Sequence, residues 1–178
     1  MDRITTPREG IRASPWAAGR AIAAPLRLHE TGVAPEWTDY NGHMSESAYL
    51  LVFGDGADAF FRFVGVDEDY RAAGRSLFTA ETHLRHLYEA RVGDRLRLTL
   101  QVLGLDGKRL HVAHEMLADD DRLLSTAEQL LLHVDSRAGR VAPFPAELAA
   151  RLEEVRVAHA ALPVPGYVGR SIAAPGAR

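Results

Sequence analysis

The chain has 178 residues, of which 47% are hydrophobic and 25% charged, with a formal net charge of -3. That length supports one domain with a sizeable core, and the composition is ordinary for a soluble globular protein. The near-neutral charge gives no basic footprint for nucleic acid, and no apolar run is long enough to span a bilayer, so neither is an expected partner. Cysteine is absent, which excludes disulfides, thiolate metal sites and a cysteine nucleophile. Lys108 is the only lysine among 21 basic residues, a pattern that reads as codon bias rather than function. The first 24 residues carry Asp2, Pro7, Glu9 and Pro15 without a continuous apolar stretch, so no signal peptide is read there and a cytoplasmic location is expected.

Residues 1–24 read as an irregular arm, broken by Pro7, Gly10, Pro15 and Gly19. A single compact domain is expected over residues 25–162, followed by an extended Pro/Gly-rich tail over residues 163–178. Within the domain, a strand is expected around Leu26 to Glu36. Ala48 to Val64 then carries Leu50, Leu51, Phe53, Ala57, Phe60, Phe61 and Val64 largely at helical spacings. Gly54 and Gly56 interrupt this helix, which makes sense where something packs closely on its backbone. Ser76 to Ala90 is expected to be a long strand ending at Gly93-Asp94. Arg95 to Gly104 alternates, with Leu96, Leu98, Leu100 and Val102 on one face, and Asp106-Gly107 signals a tight turn into a strand over Arg109 to Leu117. Leu123 to Val134 is apolar on both faces, as an interior strand would be. Pro145 opens a last helix carrying Leu148, Leu152 and Val155. A long apolar helix followed by four consecutive strands gives an α+β class, with an antiparallel sheet curled around the helix.

The chemistry concentrates in Trp37-Thr38-Asp39-Tyr40-Asn41-Gly42-His43-Met44, directly before the long helix. A helix start presents outward N–H groups and favours negative charge, so it can hold a developing oxyanion. Asp39 is the leading candidate to activate water or attack a carbonyl carbon. Its spacing equally supports a helix cap, although Ser45 stands closer to the helix start. His43 reads either as a donor to substrate or as a structural donor, and Gly42 either as an open N–H or as a required backbone angle. The pairs His83/His86 and His111/His114 do not make a metal site, because residues three apart on a strand point to opposite faces. Glu81, inside a strand, could be a second functional carboxylate or a solvent-facing residue. Asp55 and Asp58 share a helix face, read first as the wet one. The chain holds neither a G-x-S-x-G elbow nor a P-loop, and Gly54-Asp55-Gly56 is too short for a dinucleotide fingerprint.

Asp39, Asn41, Gly42, His43 and Met44, with Tyr49 on the following helix, resemble the motif of the hotdog-fold acyl-CoA thioesterases of the 4-hydroxybenzoyl-CoA thioesterase kind. The resemblance covers roughly Leu26 to Val141. The runs Val33 to Leu51, Glu81-Thr82-His83, Gly104 to His111, Ala127 to Asp135 and Gly169-Arg170-Ser171-Ile172 further resemble the betainyl-CoA thioesterases of bacterial carnitine catabolism. Many relatives carry asparagine where this chain has Ser45, so any bond made by that amide is missing here. The resemblance implies hydrolysis of a small acyl-CoA, with Asp39 as general base or nucleophile, Asn41 positioning water or the loop, His43 bracing it, and N–H groups around Gly42 to Met44 polarising the thioester oxygen. It implies no cofactor beyond the CoA of the substrate. A trimethylammonium acyl group would want aromatic faces (Trp37, Tyr40, Phe53, Phe78) with Glu81 or Asp58 as charge partner, and Tyr49 belongs to the same expected substrate site. Lys108, Arg109 and Arg85 are the cations expected to meet CoA phosphates. A lone hotdog leaves a sheet edge open, so a homodimer or homotetramer is implied. A broader short-chain acyl-CoA or acyl-ACP thioesterase, and a non-catalytic acyl-CoA-binding hotdog, are the alternatives.

Overall fold

The computed structural model describes residues 16–172. In chain order it contains β1 (Leu26–Gly32), a single 3-10 turn (Pro35–Trp37), α1 (Glu46–Val64), α2 (Glu68–Ala72), β2 (Arg75–His86), β3 (Arg95–Leu105), β4 (Arg109–Leu117), β5 (Leu123–Asp135), β6 (Arg140–Val141) and α3 (Ala146–His159). β1 is shorter than its alternation suggests. Val33 leaves the ladder to exchange hydrogen bonds with the Gly93-Asp94 turn, and Trp37 N–H closes the 3-10 turn onto Ala34. β2 also stops early: after His86, the amides of Leu87 and Tyr88 both reach the carbonyl of Leu124 and the chain leaves the sheet. The short α2 was not expected. Its cap is Asp67, whose carboxylate accepts from Tyr70 N–H at 3.0 Å.

The sheet order is β1-β3-β4-β5-β2, with β6 added to β5 and every pairing antiparallel. The expected four-strand meander is therefore a three-strand one, β3-β4-β5. β2 crosses to the far side of β5 and β1 returns to cover β3, because alternation identifies strands but not their partners. β5 is interior, as its two apolar faces indicated.

α1 fills the concave face of this curled sheet. Val52, Phe53, Phe60 and Val64 are wholly buried, as are Leu96, Leu110, Met116 and Leu131 on the strands around them. Each such side chain contributes about 1.5–3 kcal/mol on removal from water. One core cluster surrounds the C-terminal half of α1 and takes in Leu148, Leu152 and Val155 of α3. The other surrounds its N-terminal half and includes Trp37, Met44 and Tyr49. At the β3 bulge, Val102 N–H donates to His159 Nδ1 (2.9 Å), whose Nε2 donates to the carbonyl of Ala23 (3.0 Å). The described part of the N-terminal arm is thereby tied to α3, and Trp16 packs edge-on against Phe63 at 5.5 Å. The tail is a strap across the convex face: Gln101 Nε2 donates to Pro163 O, Tyr167 Oη to His114 O, and Gly169 N–H to Glu128 Oε2. Residues 1–15 of the arm and 173–178 of the tail lie outside the described residues.

The two helix glycines differ. A Cβ on Gly56 would lie 2.6 Å from Leu98 Cδ2, whereas one on Gly54 would meet nothing within 4 Å. Gly54→Ala should stabilise the fold by up to about 1 kcal/mol through helix propensity. Gly56→Ala should lose that gain to overpacking, which costs about 1–3 kcal/mol in a filled core. Thermal melts of the two variants should shift in opposite directions.

His114, on the inner face of β4, is 1% exposed and packs edge-on to Phe53 at 5.9 Å. Burial lowers its pKa to about 4, against a smaller opposing effect of Gln129. The folded value lies below the unfolded one, so the unfolded chain binds the extra proton between pH 6.5 and 4. Stability should therefore fall with pH across that window, by roughly 3 kcal/mol from this residue. Urea titrations at stepped pH should show this acid-side slope flattened in His114→Gln.

Candidate active site

The motif folds into a tight hairpin where the chain enters α1. Thr38 and Met44 bridge its stem. Asp39 N–H donates to His43 O, and Gly42 N–H donates to Asp39 O, both at 3.0 Å. Gly42 has φ 76°, a left-handed angle that a side chain would strain. The Asp39 carboxylate accepts Asn41 N–H at 2.8 Å and lies 3.4 Å from Asn41 Nδ2, an Asx turn within the loop. Asp39 therefore caps its own turn and not α1. The N-cap of α1 is Ser45, whose side chain makes no capping bond to a backbone N–H of the first turn. That leaves N–H groups of the first turn for another acceptor.

Below the hairpin lies the segment that leaves β2. Met44 N–H donates to Ala90 O at 2.8 Å, and Ser45 N–H to Trp37 O at 2.8 Å. His43 Nε2 lies 3.0 Å from Glu89 Oε2. Tyr49 Oη donates to Tyr88 O (3.3 Å) and accepts from Ala90 N–H (3.1 Å), while its ring meets His86 edge-on at 4.7 Å. Burial raises the Tyr49 pKa, opposed by the Ala90 hydrogen bond.

These contacts revise several expectations. Trp37 is 8% exposed and packs in the core with Phe53, so neither presents a free aromatic face; Tyr40, at 97%, does. Tyr49 is buried and its hydroxyl is committed to the chain beneath the motif, so it is not a substrate ligand. The amides of Gly42 and Met44 are likewise bonded within the chain, so they are not open to a thioester oxygen. Asp58 is buried and holds Arg62 at 2.7 Å, with Glu68 and Arg71 completing an ion-pair network that pins α2 to α1. It is not available as a charge partner.

Glu81 stands elsewhere. It lines a cavity of about 730 Å³ on the convex face, with Thr82, His83, Arg109, His111, Glu128 and residues 169–172 of the strap. The six strand residues from Glu81 to His86 alone span about 17 Å, so this cavity is not beside Asp39 of the same chain. Asp106 accepts from the amides of Lys108 and Arg109 and from the Arg109 side chain, which lowers its pKa to about 2. Lys108 is exposed on the same turn, and Arg85 lies on β2 outside the cavity lining. Glu128 is held by His111 Nε2 and Gly169 N–H, both at 2.8 Å. His111 and His114 point to opposite faces, and among the described residues no group of three or more His, Asp or Glu could hold a metal ion.

Glu89 and Tyr88 were missed in the sequence because the strand pattern runs on through Ala90, and the first Gly or Pro after β2 is Gly93. No helix among the described residues is long and apolar enough to cross a membrane.

A sheet curled on one helix, with a carboxylate turn at the helix start, defines the hotdog thioesterase class. The sequence model of the thioesterase-like superfamily matches residues 33–152, and the chain belongs to that family. It is 47% identical to a betainyl-CoA thioesterase of Pseudomonas aeruginosa, over 86% of this chain and 98% of that protein. It is 41% identical to an L-carnitine dehydrogenase/betainyl-CoA thioesterase of Agrobacterium fabrum, over 92% of this chain but only 37% of that longer protein. Among solved structures, a Pseudomonas putida KT2440 protein provisionally assigned as a thioesterase superposes with a TM-score of 0.75 at 36% identity, covering 85% of this chain and 97% of its own. A Staphylococcus aureus protein solved in complex with CoA also gives 0.75, at 26% identity, covering 86% and 98%.

Proposed function

We propose that the chain hydrolyses betainyl-CoA to glycine betaine and CoA. The observation that carries this reading is the Asp39 carboxylate, held in its own turn beside an uncapped helix start, in a chain 47% identical to a betainyl-CoA thioesterase over nearly that protein's whole length. The thioester carbonyl lies over the first turn of α1, whose N–H groups take the charge that develops on its oxygen. Asp39 either removes a proton from the attacking water or attacks the carbonyl carbon to give a short-lived anhydride. Exposed Tyr40 offers an aromatic face to the trimethylammonium group. Lys108 and Arg109, beside the convex-face cavity, supply cations for the CoA phosphates. We assign the reaction to the cytoplasm, where acyl-CoA is available, and to a homodimer.

The dimer reading rests on β2. Its twelve residues form one edge of the sheet, with Phe78 53% exposed and residues 78–81 exposed in succession. A long open edge of this kind is a template for pairing with a second strand. Light scattering should give a dimer for the unmodified chain and a shift toward monomer for Phe78→Lys. A monomeric unmodified chain removes this assembly.

Activity is tested by thiol release from a panel containing betainyl-CoA, short straight-chain acyl-CoAs and an acyl-ACP. Betainyl-CoA should be preferred, and Asp39→Asn should lower kcat about a hundredfold or more, the scale of an acid–base group. Preference for another member would make the chain a broader thioesterase. A chain that binds acyl-CoA but hydrolyses none would be a non-catalytic binder.

A further inference from the structure

Asp39 is fixed by contacts within its own hairpin, but the hairpin itself rests on residues 88–90. Met44 N–H is bound to Ala90 O, and His43 to the Glu89 carboxylate. Residues 88–90 lie outside the sheet ladder, tied to β5 only at their start by the bond from Tyr88 N–H to Leu124 O, so they need another support. Tyr49 supplies it from the first turns of α1, giving one hydrogen bond to Tyr88 O and taking one from Ala90 N–H. Ala90 itself is wholly buried. The hydroxyl thus links the helix that offers its N–H groups to the chain that carries the carboxylate hairpin.

The His43–Glu89 contact is different in kind. The Glu89 side chain is 66% exposed and that of His43 24%, and exposed pairs of this sort add little to stability. What the contact does constrain is orientation: with Nε2 3.0 Å from the Glu89 carboxylate, the Nδ1 edge of the imidazole is turned away from it. Its backbone carbonyl meanwhile receives Asp39 N–H.

We infer that Tyr49 and Glu89 are positioning residues of the thioesterase site: they hold residues 88–90 and His43 so that the Asp39 turn faces the start of α1. The inference rests on Asp39 being the catalytic carboxylate. Misplacement of a reacting group by about 1 Å can cost about a hundredfold in rate, so loss of either support should show in kcat and leave KM nearly unchanged. Glu89→Gln and Tyr49→Phe should each lower kcat about tenfold, with KM within about twofold, as interactions expressed only in the transition state do. Glu89→Asp should recover part of the loss. Residues that act through Asp39 cannot act once it is gone, so Glu89→Gln should cost nothing further in an Asp39→Asn background. Circular dichroism and the active-site-independent dimer mass would confirm that the surface variant Glu89→Gln is folded.

Unchanged kcat in both single variants overturns the inference. So does a loss that multiplies with Asp39→Asn, which would mark a general structural defect. These results are distinct from failure of the underlying assignment, which would appear as near-normal turnover by Asp39→Asn alone.

Discussion

The burial of α1 against the concave face of one sheet is the constraint from which the rest of the architecture follows. A helix carrying Val52, Phe53, Phe60 and Val64 at zero exposure presents a continuous apolar stripe that the sheet must cover along its whole length. A sheet of five main strands achieves this only by curling, and the bulges in β1, β2 and β3 fall where the register must shift. Once the helix is enclosed, its N-terminus can emerge only at the sheet margin. The chain entering it must make a sharp turn there, which the Thr38–Met44 hairpin does.

That turn places chemistry at a helix end without using the helix end to satisfy it. In most helices a side chain at the N-cap would engage the first N–H groups. Here the two polar groups best suited to capping are otherwise occupied. Asp39 binds Asn41 N–H, and Ser45 Oγ lies 3.3 Å from Ser47 Oγ. No side chain caps the helix start, and the carboxylate is engaged within its own turn. In the proposed reaction Asp39 and the helix start therefore have separate roles, one acting on water or carbon and the other on oxygen.

What was legible in the sequence follows from the range of the interactions involved. α1, β3, β4, β5 and α3 were readable because their apolar spacing is local and unbroken, and the Asp106-Gly107 turn announced itself. The pairing of β2 with β5 was not, since partners that lie far apart in the chain, from His86 with Ser125 to Arg75 with Asp135, leave no mark on local alternation. The site divides in the same way. The Asp39 turn was legible as a motif. The roles of Trp37, Tyr49 and Asp58 were misread because whether an aromatic or an acid is free depends on partners from distant segments: Ala90 for Tyr49, and the α1 core for Trp37. Asp58 is only four residues from Arg62, yet its burial comes from packing that no window of sequence displays.

The sorting of the aromatics bears on how the proposed substrate would be recognised. A quaternary ammonium group carries permanent charge and has no N–H, so directional hydrogen-bond acceptors cannot read it; π faces and nearby carboxylates can. In a betainyl thioester a single methylene separates that nitrogen from the carbonyl carbon, so its binding surface must adjoin Asp39. Trp37 and Phe53 lie in the core below the hairpin, whereas Tyr40 stands almost fully exposed on the hairpin itself and Tyr88 is 57% exposed on the segment beneath it. The convex-face cavity with Glu81 is separated from the same chain's Asp39 by half the length of β2. In the proposed reaction Tyr40 is therefore the exposed aromatic that meets the acyl group, and the cavity by the Lys108-Arg109 turn is left to the other end of a long substrate.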